Sequence, residues 1–160
     1  ASAQPRVGLV WSGSTLHKND RNRSMGLKEL LPILALPFEF HCLQKEIRPE
    51  DELCLPALPM IHRHDAALND FADTAALVSE MDLVISVDTS VAHVAGAMGK
   101  PTWILLPNAP DWRWLLDRED SPWYPTVQLF RQDATGGWSG VIESVLESLL
   151  KRYVLAGETL

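Results

Sequence analysis

Residues 82–106 decide the fold: Asp82-Leu-Val-Ile-Ser-Val-Asp-Thr-Ser-Val-Ala-His-Val-Ala-Gly-Ala-Met-Gly-Lys-Pro-Thr-Trp-Ile-Leu-Leu106. The apolar run from 83 to 87 reads as a buried strand, 88–90 as a polar turn, 91–98 as a helix of small residues, and 102–106 as a second buried strand. In open parallel α/β sheets ligands sit beyond the carboxyl ends of the strands. The turn Asp88-Thr89-Ser90 stands at that place, at a helix N-terminus, where free N–H groups and the helix dipole favour an anion. The plainer reading is that these three residues only cap the helix, since all three types are good N-caps. The segment alone leaves both open.

The same alternation runs outward in both directions. Residues 6–11 form an expected first strand ending in Ser12-Gly13-Ser14, and 27–36 a short or irregular helix interrupted by Pro32. Residues 38–43 read as a second strand with Gln44 and Lys45 at its carboxyl end, and a third, short strand falls within 56–62. Asn69 or Asp70 caps an expected helix to Met81, with Phe71, Ala75, Val78 and Met81 on one face. A Pro- and Trp-rich stretch spans 108–126, followed by a strand at 127–131 and an amphipathic helix at 139–154. Strands alternating with helices predict a Rossmann-like α/β fold, a parallel sheet flanked by helices. One domain is expected over 6–155, with 1–5 a linker or remnant and 156–160 a tail. The chain opens without Met and is read as a piece of something longer.

Composition narrows the classes. A formal charge of −7 argues against a general nucleic-acid binder. No apolar run approaches the length of a membrane span. Cys42 and Cys54 lack any metal spacing and suit two reduced thiols in the cytoplasm. Walker A and Gly-x-Gly-x-x-Gly patterns are absent, so nothing favours ATPase or NAD chemistry, and no cofactor is expected. No Asp-x-Asp pair occurs, which removes a common device for holding a divalent ion against a diphosphate. His62 and His64, with Asp65, do not make a convincing zinc set.

A second chemical cluster follows the first strand. Gly13 permits a sharp turn and a close backbone approach, and Lys18, Arg21 and Arg23 place three cations beyond a strand end in an acidic protein. Solvated loop and phosphate site both fit. His93, five residues after Asp88, either faces the same crevice or is a satisfied core histidine. Trp112, Trp114, Trp123 and Tyr124 either stack on a bound base or sugar or pack their own loop.

These residues carry a resemblance. Val87 to Pro101, with Val10-Trp-Ser-Gly13, Asn19 to Ser24, Asp70 to Leu77 and Asp111-Trp-Arg-Trp114, resembles the heptosyltransferase-like glycosyltransferases. It is closer still to the carboxyl-terminal glycosyltransferase domain of bacterial tetratricopeptide-repeat proteins, over about residues 6–150. The resemblance implies a two-lobed GT-B enzyme whose carboxyl-terminal lobe binds a nucleotide-diphosphate sugar. It implies that Gly13 and Ser14 approach the diphosphate, Arg23 binds phosphate with Lys18 and Arg21 beside it, and Gln44 contacts the nucleoside. Asp88, Thr89 and Ser90 would form the diphosphate site, with His93 nearby, and Asp73 would begin a helix bordering the crevice. The expected chemistry is metal-independent sugar transfer to an acceptor hydroxyl by the intact protein. The other lobe and the repeats are missing, so no catalytic base is assigned and the isolated domain is expected to be inactive. The alternatives are a non-catalytic nucleotide- or sugar-binding assembly module of a repeat protein, and an unrelated α/β domain.

Overall fold

A computed structural model describes residues 4–155. Residues 1–3 of the expected linker and the whole expected tail lie outside the described residues. The strands are β1 (Arg6–Val10), β2 (Glu39–Cys42), β3 (Ile61–His62), β4 (Leu83–Val87), β5 (Thr102–Leu106) and β6 (Val127–Arg131). The α-helices are α1 (Asp20–Arg23), α2 (Leu31–Leu34), α3 (Pro49–Glu52), α4 (Phe71–Ser79), α5 (Ser90–Ala97) and α6 (Ser139–Leu149). The strands form one sheet in the order β3-β2-β1-β4-β5-β6, and every strand pair is parallel. The fold is the expected parallel sheet flanked by helices. The order reverses between β1 and β4, and their carboxyl ends open a crevice there.

Alternation along the strands divides the core. Val7, Leu9, Leu83 and Ile85 face one side, where Leu27, Leu30 and Ile33 pack with Val141, Val145 and Leu149 of α6. Val10 and Val84 face the other side, against Val78 and Met81 at the end of α4 and Ala95 of α5. Each such aliphatic chain removed from water contributes about 1.5–3 kcal/mol. The expected 27–36 helix is irregular as anticipated: a 3₁₀ turn at Leu27–Leu30 leads into α2, with Pro32 in its first turn where no N–H is needed. The closing helix changes character at Leu150–Val154, where it widens into a π turn.

Buried polar groups fix the segment between β2 and β3. Asp51 of α3 is 3% exposed; its carboxylate accepts the Trp11 indole N–H at 2.9 Å and the Leu27 main-chain N–H at 3.0 Å. Three short elements are thereby tied by one side chain. Burial pushes the Cys42 thiol up to about 12, so it behaves as an apolar core residue.

At the β3 edge the imidazoles of His41 and His62 stack, 4.8 Å apart, from in-register positions. Glu39 accepts from His41 Nε2 at 2.8 Å, and His41 Nδ1 and His64 Nε2 share a hydrogen bond at 2.9 Å. Burial, together with the neighbouring His41 and His62, holds His64 below its ordinary value. The unfolded chain therefore binds this proton first as pH falls, so the contribution is full above about pH 6.5 and declines below it. Urea unfolding at pH 7.5 and 5.5 should show a lower midpoint at pH 5.5, with a smaller drop in His64→Gln. An equal drop in the variant would remove His64 as the cause.

Candidate functional site

The crevice at the switch point has a volume of about 580 Å³, within the usual range for small-molecule sites. A second cavity of about 600 Å³ lies between β6 and α6, so size does not choose between them. Chemistry does. The first lies beyond the strand ends, where β1, β2 and β4 deliver their loops; the second is a groove along a sheet edge with mixed charge, lined by Asp117, Arg118, Glu147 and Lys151.

The loop after β1 is built around Gly13. A Cβ there would lie 2.4 Å from Nη2 of Arg23, so only glycine lets the guanidinium lie across the backbone. From that position Arg23 Nη1 donates to the Asp88 carbonyl at 2.7 Å, linking the loop after β1 to the turn after β4. Gly13 N–H donates to Ser24 Oγ, which donates in turn to Asp20 at 2.7 Å. Arg48 Nη2 donates to both Asp20 and the Gly13 carbonyl. Arg23 Nε is buried and has no hydrogen-bond partner, while its side chain remains 12% exposed on the crevice wall.

On the opposite wall, Thr89 holds the N-cap position of α5 in extended conformation, but its side chain makes no capping bond. Thr89 Oγ1 instead lies 3.2 Å from Ser86 Oγ. The first-turn N–H groups of α5 therefore lack a side-chain acceptor at the N-cap, and Thr89, Ser90 and Val91 line the crevice. With Arg23 opposite, this wall of the crevice offers donors and positive potential.

The anticipated site residues separate in the structure. Gly13, Ser14, Arg23, Gln44, Thr89 and Ser90 line the crevice. Lys18 and Arg21 do not; both are exposed, carried outward by the turns that precede and form α1. Gln44, expected to contact a nucleoside, has its amide engaged within the fold. Its Oε1 accepts from Trp11 and Ser12 N–H groups, and its Nε2 donates to Ser12 Oγ and the Glu46 carbonyl. Asp73 accepts from the Asn69 N–H while donating its own N–H to Asp70, a reciprocal cap at the start of α4; it is off the crevice lining, which Asp70, Phe71 and Thr74 of the same turn do join.

Asp88 and His93 also lie off the crevice lining, packed toward the 107–126 segment. His93 Nδ1 is 3.0 Å from the Tyr124 hydroxyl, and its Nε2 is 3.7 Å from Asp88. Its ring stacks on Trp114 at 5.1 Å. Trp114 is fully buried, and Trp112 and Trp123 are exposed away from the crevice, so no tryptophan of this loop lines it. For Trp114 the packing alternative holds.

The aromatic ring that does line the crevice is Phe71. Sequence periodicity sets it on one face with Val78 and Met81, both of which are buried, although α4 ends at Ser79, short of the expected Met81. Phe71, however, is 65% exposed and lines the crevice at the start of α4. Among the described residues, no group of three or more His, Cys, Asp or Glu side chains is arranged to hold a metal ion, and no helix is long and apolar enough to cross a membrane.

Comparison with known proteins agrees with the architecture. Residues 66–113, which hold α4, β4, α5 and β5, match the family described as Glycosyltransferase family 9 (heptosyltransferase). Protein FlbA of Caulobacter vibrioides is 36% identical over 151 residues, covering 91% of this chain and 25% of that protein. The E. coli ADP-heptose lps heptosyltransferase II has a similar structure, with a TM-score of 0.62 at 18% identity, covering 99% of this chain and 49% of that one. The E. coli heptosyltransferase WaaC with ADP-2-deoxy-2-fluoro heptose gives 0.59 at 11% identity, covering 91% and 43%. The chain thus spans about a quarter of FlbA and less than half of either heptosyltransferase. Its fold is that of the heptosyltransferase-like glycosyltransferases.

Proposed function

We propose that this chain is the nucleotide-sugar-binding half of a glycosyltransferase, and that the switch-point crevice is its donor site. The observation that carries the proposal is the pairing of a donor-rich wall with an exposed aromatic ring in one cleft. Arg23, Ser14 and the α5 N-terminus suit a diphosphate, while Phe71, with Leu43 and Leu68, suits a planar base. The heptosyltransferase structures it resembles include ones with ADP and an ADP-heptose analogue.

In the intact protein the reaction is transfer of a sugar to an acceptor hydroxyl. Negative charge grows on the departing diphosphate as the glycosidic bond breaks. Fixed N–H groups of α5 and the Arg23 guanidinium stabilise that charge without reorganising, which favours the transition state over the ground state. These groups supply the counter-charge in a metal-independent mechanism. The catalytic base and the acceptor site belong to an amino-terminal lobe, and the whole protein is read as a cytoplasmic tetratricopeptide-repeat protein. The match to a quarter of the longer FlbA and the free thiols Cys42 and Cys54 support that reading.

A thermal-shift titration with ADP, UDP, GDP and CDP tests the donor site. One of them should stabilise the chain by about 2.7 kcal/mol at a hundredfold excess over its dissociation constant. Phe71→Ala should weaken that nucleotide roughly 5- to 150-fold, matching about 1–3 kcal/mol of stacking, and leave inorganic pyrophosphate binding unchanged. Equal loss for both ligands would reject Phe71 as a base platform. Gly13→Ala should weaken nucleotide and pyrophosphate alike by at least about tenfold, because the new methyl displaces Arg23. Unaltered pyrophosphate affinity in that variant would remove Arg23 from the phosphate site.

A further inference from the structure

The loop between β1 and α1 holds two polar side chains at the crevice through bonds of its own. Ser14 Oγ accepts the Leu16 N–H at 3.2 Å, and the Ser14 carbonyl accepts the His17 N–H at 3.1 Å. The imidazole of His17 lines the crevice, and its Nδ1 accepts the main-chain N–H of Asn19 at 3.1 Å. A main-chain N–H can only donate, so Nδ1 presents its lone pair to Asn19 and the proton of the neutral ring sits on Nε2. The geometry therefore fixes one tautomer. By the same reasoning the Ser14 hydroxyl keeps its proton for another partner.

Part of the lining suits a ligand that accepts, although the carboxylates of Glu46 and Asp70 line the crevice too, the latter accepting the Asp73 N–H. Arg23 has no acceptor atom, and the first N–H groups of α5 are free of a side-chain cap. The nearest loop carboxylate, Asp20, is engaged by Arg48 and Ser24. Ionised phosphate oxygens fit such a rim. Lys18 and Arg21, the more obvious candidates by charge, do not line the crevice.

We propose that His17 donates a hydrogen bond from Nε2–H to the diphosphate of the bound nucleotide, and that the Asn19 main chain is the element that sets its tautomer. This rests on the nucleotide reading of the crevice given above. A neutral, directional donor requires an acceptor oxygen at a defined place, whereas a lysine ammonium only demands nearby negative charge. His17 thereby selects for phosphate geometry rather than for charge alone.

Calorimetric titration of the chain with ADP, UDP, GDP and CDP, and with inorganic pyrophosphate, tests the proposal in three variants. His17→Ala should bind the preferred nucleotide and pyrophosphate roughly tenfold more weakly, the value of a hydrogen bond to a charged group. His17→Gln sets an amide N–H near the Nε2 position and should stay within about threefold of wild type. His17→Asn reaches only the Nδ1 position, and should fall with alanine. The opposite order, with asparagine restoring binding and glutamine failing, would assign His17 to loop architecture and overturn the proposal. So would a His17→Ala variant that binds as wild type does, while the nucleotide reading would stand. If wild type binds none of the four nucleotides, the nucleotide reading falls, and this proposal with it. Imidazole ¹⁵N shifts give a second readout: the proton should reside on Nε2 in the free protein, and a proton found on Nδ1 would contradict the assigned tautomer.

Discussion

One contact governs the functional end of this molecule: the Arg23 guanidinium lying across Gly13 to reach the Asp88 carbonyl. It joins the loop after β1 to the turn after β4, the two strands whose adjacency creates the topological switch point. Any side chain at position 13 would occupy the same space. The absence of a Cβ is thus what lets Arg23 lie across the loop and join Lys45 in the crevice lining. Around this contact Asp20, Ser24 and Arg48 form a compact network that also holds the Gly13 main chain. Such networks are rigid when every member is satisfied, and this one is incomplete at the Nε atoms of Arg23 and Arg48, which lack a hydrogen-bond partner, although Arg23 Nε lies 3.7 Å from the Asp20 carboxylate.

The first turn of α5 divides two environments. Toward β1 and α4, Thr89, Ser90 and Val91 face the donor-rich crevice. Toward the 107–126 segment, His93 is clamped between Tyr124 and Trp114, with the Asp88 carboxylate beyond it. Gly96 serves this second packing, because a Cβ there would press on the Tyr124 ring at 2.8 Å. The small residues of α5 therefore answer to close approach by an aromatic loop on one side and by the sheet on the other. The Asp88-to-His93 stretch encodes a junction between these environments rather than a single pocket.

Much of the fold was legible because fully buried parallel strands leave unbroken apolar runs, as at 83–87 and 102–106. The short third strand expected within 56–62 is β3, of two residues, while the Asp51 tie could not be read, since it depends on partners many positions away. The same reason hid the role of Gln44. Its residue type and place suited a ligand contact, but its amide bridges the ends of β1 and β2 across a separation of 32 or more residues. Lys18, Arg21 and Arg23 looked equivalent by charge, and only the path of α1 turns one inward. The exposure of Phe71 could not be read either: helical periodicity reports which face a residue shares, not how much of that face is covered. Phe71 stands at the first position of α4 and is 65% exposed.

The central claim is that the crevice between β1, β4 and α4 holds a nucleoside diphosphate. Amide chemical-shift mapping with saturating ADP, UDP, GDP or CDP tests it most directly. The account predicts perturbations grouped at Gly13, Ser14, Lys45, Phe71, Ser90 and Val91, all on that one cleft. Shifts gathered instead around Arg131, Ser144 and Lys151, in the groove between β6 and α6, would contradict it, as would a spectrum that none of the four nucleotides changes.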